Sequence, residues 1–127
     1  MTEVVAALIR QGDSFLICQR PAHKARALLW EFPGGKVETG ESAAEALARE
    51  CEEELGVRLH IGALYMQAEH RYPDIHILLS LYEATIASGQ LERREHAAFA
   101  WIRPAEIPLY DFCPADEDIL VRLRAEG

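Results

Sequence analysis

Glycines bracket an acidic stretch of this chain and limit how residues 34–57 can fold. Gly34 and Gly35 stand before it and Gly56 after it, with Glu41, Glu45, Glu50, Glu52, Glu53 and Glu54 between. Ser42 with Glu45 three positions on is a capping-box signature, and Gly56 is a good helix stop, so a helix is expected from about Ser42 to Leu55. At roughly 100° per residue, Ala44, Leu47, Ala48, Cys51 and Leu55 share one arc, the face expected to meet the core. Glu50, Glu53 and Glu54 share a second arc about a third of a turn away, whereas Glu52 points elsewhere. Spacings of three and four make the three glutamates neighbours whose like charges repel. A solvated acidic face is the plainer reading of such a helix. The alternative is that a hard divalent cation sits there, whose natural ligand is a phosphate chain. Arg49 points away from the core but is long enough to fold back and hold a carboxylate.

The totals narrow the choice. At 127 residues, half of them hydrophobic, the chain is expected to be one domain with a real core. Net charge −8 and no run of Lys or Arg argue against a nucleic-acid polymer as partner. A small nucleotide with its own metal is a different matter, because the metal cancels charge locally. Cys18, Cys51 and Cys113 are odd in number and far apart, which argues against disulfides or a zinc site and fits a reducing cytoplasm. The N-terminus lacks the basic start and long apolar run of a signal peptide, and no run reaches membrane-spanning length.

Along the chain, residues 3–10 and Ser14–Gln19 read as a hairpin about the Gln11-Gly12-Asp13 turn. Pro21 to Leu29 reads as a positively charged loop, and Trp30 to Gly35 as a strand end running into a glycine turn from which the helix starts. Val57–Gln67, Ile75–Ala87 and Ala98–Ile102 read as strands. Pro104–Pro108 reads as a turn or single helical turn. A last helix is expected near Pro114–Asp116, with Ile119, Leu120 and Leu123 on one face. Strands with two helices imply a mixed sheet covered by helices.

Residues 35–57 resemble the Nudix box, with Gly35, Glu41, Arg49, Glu50, Glu53, Glu54 and Gly56 at its fixed positions and Cys51 where an aliphatic residue is usual. Glu31-Phe32-Pro33-Gly34-Gly35-Lys36, Tyr72-Pro73-Asp74-Ile75-His76 and Phe112-Cys113-Pro114-Ala115-Asp116 are similar to segments of the MutT branch. That resemblance implies an α/β/α sandwich around a mixed β-sheet. It implies Mg2+-dependent cleavage of a nucleoside triphosphate to the monophosphate and pyrophosphate, with Mn2+ as a substitute metal, in a monomer or homodimer that cleanses the nucleotide pool. It assigns Glu50, Glu53, Glu54, Glu95 and the Gly34 carbonyl as metal ligands, and leaves Glu50, Glu53 and Glu95 as candidates for the general base. Arg49 orients a glutamate, and Glu41 ties the loop to the helix.

For the nucleobase, the resemblance points to Arg20, Phe32 and Asp116, with Lys36 beside the phosphates. Each has a plainer role: core packing for Phe32, surface charge for Arg20, Lys36 and Glu95, and helix N-cap for Asp116. MutT-like enzymes that select 8-oxoguanine carry Asn where this chain has Asp116. An amide donates and accepts, whereas an ionised Asp only accepts and favours an exocyclic amine, as on cytosine or adenine. A protonated Asp regains the donor, provided that burial raises its pKa. 8-Oxo-dGTP, CTP or 5-hydroxy-dCTP, and 2-hydroxy-dATP are therefore the substrates to separate. A non-catalytic nucleotide sensor and a hydrolase of ADP-ribose or dinucleoside polyphosphates are the competing functions.

Overall fold

The computed structural model describes residues 1–127. Its centre is β1 (Thr2–Gln11), which has neighbours on both edges. β6 (His76–Ser88) runs parallel to it, with Thr2 opposite Ile77 and Ile9 opposite Ala84. On the other edge β4 (Gly34–Lys36) pairs antiparallel with the start of β1, and β2 (Ser14–Gln19) with its end. β2 also pairs antiparallel with β3 (Trp30–Glu31) and β7 (Ala98–Ile102). β5 (Arg58–Arg71) closes the far edge as a long hairpin with β6, bulged near Ile61 to Met66. The sheet is thus mixed.

Alternation along the central strands sorts residues onto two faces. Val5, Ala7, Ile9, Leu16 and Cys18 pack under α1 (Ala43–Leu55) with Leu47, Cys51 and Leu55. Ala6, Leu8, Phe15 and Ile17 pack under α2 (Glu117–Glu126) with Ile119, Leu120 and Leu123. Both faces are covered, which is why these strands read as unbroken apolar runs. The α/β/α layering is the one expected.

The caps of α1 form as anticipated. Ser42 Oγ accepts from the Glu45 N–H at 3.1 Å, the Ser42 N–H donates to Glu45 Oε1 at 2.9 Å, and Gly56 closes the helix at φ 70°. Three expectations differ from the structure. Gly34–Lys36 is not a turn but a strand, because the absence of side chains lets it lie against β1. The buried arc of α1 is also rotated from the one expected: Ala44 and Ala48 are exposed, while Ala46 and Glu54 are buried. Hydrophobicity alone cannot reveal that a glutamate belongs to the inward face. β5 is also longer than Val57–Gln67, running on to Arg71. 3-10 turns span Pro104–Leu109 and Pro114–Asp116, the second leading straight into α2.

A Cβ at Gly34 would stand 2.0 Å from the Val5 carbonyl oxygen, a backbone atom that cannot swing aside. Gly34→Ala is expected to force β4 off β1 and to cost about 2–3 kcal/mol or more by overpacking, read as a lower midpoint in urea unfolding.

Candidate active site

A cavity of about 430 Å³ opens between α1, the starts of β1 and β4, the loop after β2, the β5–β6 tip and the segment 113–116. Its floor is backbone, from Val4 to Ala6 and from Gly34 to Lys36. One end is acidic, lined by Glu38, Glu50, Glu54 and Glu95. The other is largely apolar, lined by Phe32, Ile75, Ile77, Leu79, Cys113 and Ala115, with Asp116 set among them. Arg20, Lys24 and Arg26 lie along the rim.

Gly35 shapes the acidic end. A Cβ there would stand 2.4 Å from Glu50 Cδ, so glycine is what lets that carboxylate lie against β4. Arg49 then clamps it. Its Nη1 donates to Glu50 Oε1 at 2.8 Å, and its Nε and Nη2 grip Glu41 at 2.7 and 2.9 Å. Glu41 also accepts the Glu38 N–H at 3.0 Å, so it joins loop to helix. The hydrogen bond from Arg49, reinforced by the one from Glu38, lowers the Glu41 carboxyl to about 2. Glu53 lies outside this arrangement. It is turned to solvent, does not line the cavity, and meets only Arg49, at 3.5 Å.

Glu54 is the anomaly. It is 8 % exposed, and its Oε2 has no hydrogen-bond partner. Burial, and then the charges of Glu50, Glu31 and Glu95, push its carboxyl up to about 9. A buried acid facing other acids costs stability unless a cation answers it. No three His, Cys, Asp or Glu side chains stand close enough together here to grip an ion. The carboxylates at this end offer hard oxygens, the kind Mg2+ takes, and the orphaned Glu54 oxygen marks where positive charge is wanted. The residues fit a hard divalent ion, with side-chain adjustment by Glu50 and Glu95.

At the apolar end Phe32 serves core and cavity together, packed between Phe15 and Phe112 at ring distances of 5.9 and 6.3 Å. Asp116 is 4 % exposed and its side chain makes no capping bond, so the N-cap role does not explain it. Burial, then the nearby Glu31 charge, raises its pKa well above the carboxylate range, with Arg20 opposing weakly. Lys36 is exposed at the cavity edge. Arg20 donates to Glu31 Oε1 at 2.9 Å rather than standing free.

Glu31 and His96 line the cavity without having been singled out from sequence. Glu31 sits between Arg20 and the buried His96, whose Nε2 is 3.6 Å from Glu31 Oε2 and whose Nδ1 has no partner. A polar residue at a strand end beside Phe32 was the available signal. His96 carried none beyond its place next to Glu95. His76 pairs with Glu69 at 2.7 Å and does not line the cavity. Trp101 packs against the core under α1.

Two outcomes test the acidic end. Gly35→Ala is expected to keep the fold, since Glu50 can swing away, yet to misplace that carboxylate, and circular dichroism with a thermal melt checks the first part. Glu54→Gln keeps the shape of a protonated acid but never needs to take up a proton on folding. The metal-free variant is expected to be about 1–3 kcal/mol more stable than the parent at pH 7, measured by denaturant unfolding in EDTA.

Comparison with known proteins agrees with this geometry. The model of the NUDIX domain family matches residues 4–122. The chain is 40% identical over 120 residues to the CTP pyrophosphohydrolase of Escherichia coli, spanning 94% of this chain and 89% of that protein. It is 30% identical over 123 residues to the 8-oxo-dGTP diphosphatase of Escherichia coli, spanning 96% and 95%. The crystal structure of the MutT protein from Methanosarcina mazei Go1 superposes with a TM-score of 0.88 at 26% identity, over 98% of this chain and 94% of that one. Nudix hydrolases in general use divalent metals such as Mg2+. No helix is long and apolar enough to cross a membrane. With the family's domain matched over nearly its whole length, this chain belongs to the Nudix hydrolases, in their MutT-like branch.

Proposed function

We propose that the chain is a Mg2+-dependent nucleoside triphosphate pyrophosphohydrolase that removes oxidised or non-canonical nucleotides, 8-oxo-dGTP among them. The observation that carries this reading is the polarity of the cavity, with carboxylates at one end and a buried acid, its pKa raised by desolvation, among apolar side chains at the other. Glu50, Glu54, Glu95 and the Gly34 carbonyl would hold Mg2+, or Mn2+ in its place, and Glu53 would have to turn in from solvent to join them; the ion supplies charge neutralisation of the triphosphate and a more acidic water. Lys36 meets the phosphates from the cavity edge. Arg49 fixes Glu50 and leaves it poorly placed to take a proton. Glu95 lines the cavity with no ion-pair partner, so it is the carboxylate free to receive the proton of the attacking water. The water attacks phosphorus, the bond between the α- and β-phosphates breaks, and pyrophosphate departs.

Base selection falls to Asp116 with Glu31 and Arg20. A protonated carboxyl offers a donor and an acceptor side by side, as an amide does. It fits the adjacent carbonyl and N–H of an 8-oxoguanine, and equally the adjacent amine and ring nitrogen of cytosine. The second pairing is the alternative reading, supported by the 40% identity to a protein named for CTP.

Purified protein is expected to release pyrophosphate from 8-oxo-dGTP or a cytidine triphosphate only with Mg2+ or Mn2+, and no turnover on a panel that includes 2-hydroxy-dATP defeats the assignment. Glu95→Gln is expected to lower kcat by about 100-fold or more with KM little changed. Asp116 acts as donor below its raised folded-state pKa and loses the proton as pH rises through it, facing Glu31, Arg20, Tyr72 and Cys113. KM for the preferred substrate is therefore expected to climb as pH rises through that raised value. Asp116→Asn, which cannot ionise, should flatten that climb; an unaltered profile would remove Asp116 from base reading.

A further inference from the structure

The loop after β2 crosses the rim of the cavity, and one side chain ties it to the opposite wall. The Arg26 guanidinium lies 4.1 Å from the centre of the Tyr72 ring, and its Nη1 donates to Asp74 Oδ1 at 3.0 Å. All other hydrogen bonds of residues 21–28 end within residues 19–29. Arg26 adopts φ 56° and Leu28 φ 62°, left-handed values that non-glycine residues hold only when surroundings fix them. Tyr72 does a second job. Its hydroxyl oxygen accepts the Ala115 N–H at 2.9 Å, next to Asp116. Arg26, Tyr72 and Ala115 all line the cavity.

We propose that Arg26, stacked on Tyr72 and paired with Asp74, is a latch that pins the loop across the base-reading end of the cavity, and that Tyr72 passes this constraint to Asp116. These are positioning residues that act on nucleotide selection. The inference refines the pyrophosphohydrolase reading and rests on it for substrate, but the latch itself is observable without turnover. Stacking and pairing each hold the guanidinium, and neither alone needs the other. The phenol separates the two functions, since its ring carries the loop and its oxygen carries residue 115.

The test uses the full chain. A lysine-specific endoproteinase cuts after Lys24 inside the loop but not after Arg20 or Arg26, so the Arg26 substitution leaves its sites unchanged. Arg26→Gln is expected to speed cleavage after Lys24 about five-fold or more, from loss of the stack and the pair, and to raise KM for nucleoside triphosphates more than it lowers kcat. Asp74→Asn, at an exposed position, is expected to produce a smaller shift in the same direction. Tyr72→Phe keeps the ring. It should leave Lys24 cleavage at the parental rate while changing the ranking of CMP against 8-oxo-dGMP in equilibrium binding, with affinity for inorganic phosphate unmoved. Melting curves establish that each variant is folded. Lys24 cleavage that stays parental in folded Arg26→Gln and Asp74→Asn overturns the latch, and a parental binding ranking in Tyr72→Phe overturns its link to Asp116. Absence of turnover in the parent would defeat the pyrophosphohydrolase reading alone, since cleavage and monophosphate binding still decide the latch.

Discussion

The close approach of β4 to β1 is the constraint from which the site follows. Gly34 has backbone where a side chain would be, and Gly35 has the Glu50 carboxylate there. Two consecutive residues thus bring a strand and a helix together without any space left for a Cβ. The cavity floor is the main chain of these two strands, and α1 is hung beside it by its capped N-terminus and by the Arg49–Glu41 pair. Polar chemistry is therefore mounted on regular structure, whereas the loop that crosses the rim is held by side chains.

Two buried acids, one at each end of the cavity, are raised by the same cause and answer to different needs. Desolvation leads for both Glu54 and Asp116, and both feel Glu31. Glu54 stands among carboxylates, whose charges add to the cost of ionising it. Asp116 stands among apolar groups, where burial favours its protonated form. Glu31 lies within electrostatic reach of both, steadied by Arg20.

Much of this was legible beforehand, for physical reasons that differ by residue. Caps are local, so Ser42, Glu45 and Gly56 could be read from spacing alone. Alternation in β1 and β2 was masked because both faces are buried, so their hairpin could be read but the central place of β1 could not. The inward turn of Glu54 was not legible, since an arc defined by hydrophobicity excludes a glutamate by construction. β4 was misread as a turn because glycine signals both a turn and a close approach. Glu31, His96 and the Arg26–Tyr72 contact depend on chain segments tens of residues apart, and no window of sequence contains them.

The cysteines gain meaning from where they lie. Cys18 and Cys51 are sealed in the core under α1, and Cys113 is buried beside the cavity. Burial raises all three thiols, Cys113 to about 12. Oxidants attack the thiolate, which none of them offers at neutral pH. At its cysteines, this fold gives peroxide little to react with.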